Sequence, residues 1–94
     1  MGRNIWVIGN DRHEMIEAQR RINSTGGMRA VCKMSFEAVR RAIEERVQIE
    51  RSRQDWREAP SLIIVDYMMS KEEEFHTVSY IRKQKDLAGV PLFF

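Results

Sequence analysis

A run of four aliphatic residues, Leu62-Ile63-Ile64-Val65, limits the folds open to this chain more than any other stretch. It is entered from Pro60-Ser61 and left through Asp66, with Tyr67-Met68-Met69-Ser70 beyond. A run this short and this uniformly apolar predicts a strand buried on both faces. Such strands belong to parallel sheets covered by helices on each side. In open α/β sheets the carboxyl ends of the strands are where ligands bind and chemistry is done. Asp66 stands where this strand ends, so it is either a nucleophile or a polar residue closing a buried strand.

The flanking stretches alternate strand and helix signals. Asn4-Ile5-Trp6-Val7-Ile8 is a short apolar strand stopped by the turn pair Gly9-Asn10. Asp11-Arg12-His13-Glu14 follows, an N-cap residue with a glutamate three positions later, which is the capping-box pattern. Met15, Ile16, Gln19 and Ile22 then come at helical spacing, with Arg20 and Arg21 outward. Asn23-Ser24-Thr25-Gly26-Gly27 ends this helix with its glycines at the C-cap end. Met28 to Met34, with Ala30, Val31 and Cys32 between basic residues, has the mixed polarity of an edge strand.

Ser35 caps a second helix that starts at Phe36. Phe36, Val39, Ile43 and Val47 form its apolar stripe, with Ala38 and Ala42 alongside. Helix-forming residues run on to about Trp56, for ~20 residues or about 30 Å. Its last turns either project or bring Trp56 back as a lid over the core. Pro60 restarts the chain into the strand Leu62 to Asp66, followed by a loop from Tyr67 to Lys71. Glu72-Glu73-Glu74 open a third helix with Phe75, Val78 and Ile81 inward. Acids in its first turn and Arg82, Lys83 and Lys85 in its last match the helix dipole. Leu87-Ala88-Gly89 ends it, and Val90-Pro91-Leu92-Phe93-Phe94 begins another apolar strand. The order β-α-β-α-β-α-β predicts a parallel sheet with right-handed crossovers.

Composition narrows the function classes. The 94 residues suit one small domain, and a hydrophobic share of 43% suits one core. Lys and Arg exceed Asp and Glu by 16 to 14, a net charge of +2 with the signs interspersed. Arg40, Arg41, Arg46, Arg51, Arg53 and Arg57 look like a basic stripe. Glu37, Glu44, Glu45, Glu50 and Asp55 nearly cancel them, with Glu37 meeting Arg41 and Glu50 meeting Arg53 at neighbour spacing. That describes a solvated, salt-bridged face, so no nucleic-acid binding is expected through this domain. Cys32 is the only cysteine, which rules out an intrachain disulfide and thiol-cluster metal sites, and it is expected to be a buried structural thiol. His13 and His76 fall on different helices without ligand spacing. The first turn lacks the glycine spacing of a dinucleotide site and puts an acid at the helix N-terminus, against flavin or nicotinamide binding. No apolar run approaches the ~20 residues of a membrane span and no signal-peptide core is present, so a soluble cytoplasmic protein with no membrane contact is expected.

With these segments in place, the chain resembles the receiver domains of two-component response regulators, which have a flavodoxin-like fold. The resemblance runs the length of the chain, through a fourth strand. It rests on Ile5-Trp6-Val7-Ile8-Gly9-Asn10-Asp11, on Leu62-Ile63-Ile64-Val65-Asp66-Tyr67-Met68-Met69-Ser70 and on Val90-Pro91-Leu92-Phe93-Phe94. The second stretch is the most specific, an aliphatic run, then Asp, two residues and Met, although receivers carry Pro where this chain has Ser70. The resemblance implies a three-layer α/β/α domain with a parallel sheet of order 2-1-3-4. It implies Asp66 as phosphoacceptor, Mg²⁺ as cofactor with the backbone carbonyl of Met68 as a ligand, and a histidine kinase or phosphotransfer protein as partner. It implies no enzyme activity beyond self-phosphorylation. A carboxylate forms an acyl phosphate as nucleophile, and a cation neutralises charge on the phosphoryl oxygens.

Two departures bear on that expectation. Receivers place an acidic pair at the end of the first strand, where this chain has Gly9 and Asn10. Asp11, one place on, is the carboxylate left to bind magnesium beside Asp66, with Asn10 offering only a neutral carbonyl oxygen, so weak binding is expected. Capping the helix is Asp11's competing role. The phosphoryl-contacting Thr or Ser, the Lys, the fifth strand and the last helices of a receiver would all lie past Phe94. The 94 residues are therefore expected to be an incomplete domain, or alternatively a homodimer that hides the open sheet edge. The alternative function is a pseudo-receiver that is never phosphorylated and acts as a protein-interaction module.

Overall fold

The structure, a computed structural model, describes residues 3–51, 56, 59–65, 70–85 and 87–93, with backbone alone at 47–51. The elements are β1 (Arg3–Ile8), α1 (Arg12–Asn23), β2 (Met28–Lys33), α2 (Phe36–Arg51), β3 (Pro60–Val65), α3 (Lys71–Lys83) and β4 (Leu92–Phe93). The four strands form one sheet in the order β2-β1-β3-β4, and every pairing is parallel. These are the first four positions of the flavodoxin-like doubly wound order. The fold is α/β with helices on both faces, as the alternating segments predict.

Alternation along the strands splits the core in two. Trp6 and Ile8 of β1 and Ile63 and Val65 of β3 point to one face, where Val39, Ala42 and Ile43 of α2, Ile81 of α3 and Leu87 close over them. Ile5 and Val7 point to the other, with Ala30 of β2 and Met15 of α1. Leu62 and Ile64 also face α1 but are only half-buried, so β3 is fully buried on one face rather than on both. The cause is that α1 lies over β2 and β1 rather than over β3. β2, as expected, is an edge strand.

Strand bounds differ from expectation at both ends. β3 begins at Pro60, two residues early, and a register irregularity puts Asn4 opposite Pro60 but Ile5 opposite Leu62. Proline is tolerated there because a strand's first residue can forgo its N–H, and the Asn4 amide donates to the Ala59 carbonyl at 3.4 Å beside it. β4 has only two residues instead of the stretch from Val90; Phe94 lies outside the described residues.

The helices carry the larger corrections. On α1 the inward residues are Met15, Ala18 and Ile22, while Ile16 is 45% exposed and Gln19 is exposed. One residue is a turn of about 100° around a helix, enough to move Ile16 off the stripe. On α3 the expected Phe75 is 69% exposed, and Thr77 is fully buried in its stead, with Val78 half-buried and Ile81 buried. Thr77 can be buried because its hydroxyl donates to the Glu73 carbonyl at 2.8 Å. Tyr80 also turns inward, edge-on to Phe36 of α2 with ring centroids 5.4 Å apart.

Two connections fasten the deeper face. Trp56, outside α2, packs edge-on against Trp6 with centroids 5.7 Å apart, and the Arg46 guanidinium lies 5.9 Å from its ring. Of the two courses open to the end of α2, Trp56 takes the one over the core. The side chain of Val47 lies outside the described residues. After α3, Arg82 donates to the carbonyls of Leu87, Ala88 and Val90 at 3.4, 2.9 and 3.0 Å. That grip turns the chain so that Leu87, expected only to end a helix, enters the core at 1% exposure. Gly27, at φ 84°, supplies the left-handed turn from α1 into β2, and its carbonyl accepts from the Arg3 N–H at 2.7 Å. Among the described residues, no helix is long and apolar enough to cross a membrane.

Candidate functional site

Parallel strands joined by helices bring every helix N-terminus to the carboxyl edge of the sheet. Three caps therefore line that edge. Asp11 caps α1, its Oδ1 accepting from the His13 and Glu14 N–H groups at 2.9 and 3.2 Å. The Ser35 hydroxyl accepts from the Ala38 N–H at 3.2 Å, and the Ser70 hydroxyl from the Glu73 N–H at 3.2 Å. Each satisfies a donor that the first turn of a helix leaves open.

The strand ends meet in register. Ile8, the last residue of β1, is opposite Lys33 on one side and Val65 on the other. The buried Gly9 extends the ladder by one step, its N–H donating to the Lys33 carbonyl at 3.1 Å. Asn10 is exposed and Asp11 half-buried. The Lys33 ammonium folds back over the Trp6 ring, 5.6 Å from its centroid. Asp66 is the residue after Val65 in the chain. Asp66 and Met68, the expected phosphoacceptor and carbonyl ligand, lie outside the described residues.

The capping role read for Asp11 is present, and it turns the carboxylate onto its own helix. Among the described residues, no group of three or more His, Cys, Asp or Glu side chains is placed to hold a metal ion. One capping carboxylate and the neutral Asn10 amide do not by themselves fit magnesium, which needs charged oxygen ligands in near-octahedral array.

The charged face of α2 pairs differently from the expected pattern. Glu37 bonds Arg40 rather than Arg41, and the same guanidinium reaches Glu44 at 3.2 Å. Both candidate arginines sit at neighbour spacing from Glu37, and the one that also reaches Glu44 takes the bond. That hydrogen bond, with the nearby positive charges, holds the Glu37 carboxyl below its ordinary range. The Glu50–Arg53 pair lies outside the described residues. His76 is 4.0 Å from Glu72 across one helical turn. Cys32 is half-buried with its Sγ 3.7 Å from the Met15 carbonyl, and burial pushes its thiol pKa up. Raised in this way, it is a poor nucleophile, in keeping with a structural thiol.

Sequence reasoning missed one feature, an open cleft of about 520 Å³ between the first turns of α2 and α3. Phe36, Glu37, Glu72, Glu73 and His76 line it. The acids were visible as first-turn residues, but which two helices lie side by side depends on the sheet order.

No family model matches this chain, and no curated protein matches it.

Proposed function

We propose that this chain is a receiver-like signalling module that accepts a phosphoryl group on Asp66 from a histidine kinase or phosphotransfer protein in the cytoplasm. One arrangement supports the reading: Asp66 follows directly on the inner strand β3, whose end at Val65 is registered beside the end of β1 at Ile8. That is the edge of an open parallel sheet where chemistry is done. A carboxylate oxygen of Asp66 attacks the donor's phosphorus, the donor's bond to phosphorus breaks, and the donor leaves with that electron pair. Mg²⁺ would neutralise the phosphoryl oxygens, held by Asp66, Asp11, the Met68 carbonyl and, more feebly, Asn10. Its affinity is low, because Asp11 already serves the α1 cap. No catalysis beyond this self-phosphorylation is proposed.

The capped Asp11, together with Gly9 and Asn10 in place of acids, favours one other reading: a pseudo-receiver that works only through its surfaces. Incubation with acetyl phosphate and Mg²⁺, followed by intact mass measurement, separates the two. A phosphoryl adduct on the wild-type chain that is missing from Asp66→Asn supports the phosphoacceptor. No adduct, or one that persists in Asp66→Asn, leaves the interaction module.

A further inference from the structure

We draw no further inference here: the strongest candidate, the open cleft between the first turns of α2 and α3 with Phe36 and the acids Glu37, Glu72 and Glu73 along it, carries nothing because it amounts to two helix N-termini with an acidic rim and no second observation points to a ligand.

Discussion

The two faces of this sheet are built to different depths. Under α2 and α3, Trp6, Ile8, Val39, Ile43, Ile63, Val65, Ile81 and Leu87 are all at most 2% exposed. Under α1 the core is Ile5, Val7, Met15 and Ala30, with Leu62 and Ile64 left half-covered. The same strands serve both faces, so the difference lies in the helices and connections above them. Two helices, the Trp56 ring and the turn held by Arg82 close the first face; one helix, set over β1 and β2, covers the second. Neighbours on one strand, a single residue apart, therefore have unequal energetic weight.

The largest expected effect is at Ile63. Ile63→Ala opens a cavity in the closed face and should cost about 3–4 kcal/mol, read from urea unfolding. Leu62→Ala, next to it but half-covered, should cost about 1–2 kcal/mol. Equal losses would show that the two faces do not differ as described. Arg82→Ala comes next: losing the donor to three carbonyls should destabilise by about 1–2 kcal/mol, with Leu87 loosened. Amide exchange that speeds up relative to the wild type at Leu87 and Val90 but not at Val7 would place the damage on the closed face. Asp11→Ala removes the α1 cap and should lower stability by about 1 kcal/mol, measurable by thermal unfolding. Phe75→Ser should change stability by less than about 0.5 kcal/mol, because the ring lies in solvent. A loss comparable to that of Leu62→Ala would restore Phe75 to the core.

How much of this could be read from the chain follows from the length of each signal. The seven elements and their parallel order were legible because period and turn residues repeat over several positions and alternating segments admit few connections. Helix faces were less so. On α3 an apolar Phe75 and a polar Thr77 exchange places, and only the Thr77 hydroxyl's bond to Glu73 makes that tolerable. Leu87 was misread because its burial depends on Arg82, a residue whose charge suggested only a helix-end role. At the candidate site, Asp11 was legible as a cap from its local pattern, whereas the Glu37–Arg40 pairing depended on which rotamer also reaches Glu44. The cleft between α2 and α3 was invisible because it arises from two segments far apart in sequence.

The uneven cover leaves the carboxyl edge with a well-anchored β3 on one side and a capped, acid-poor turn after β1 on the other. Whether such an edge accepts a phosphoryl group is decided at one atom, the side-chain carbonyl carbon of Asp66. After treatment with acetyl phosphate and Mg²⁺, hydroxylamine attacks an acyl phosphate at that carbon, forms a C–N bond and expels inorganic phosphate. Peptide mapping by mass spectrometry should then find a hydroxamate at residue 66 and nowhere else. A chain with no hydroxamate, or with one at another carboxylate, would contradict the proposed role of Asp66.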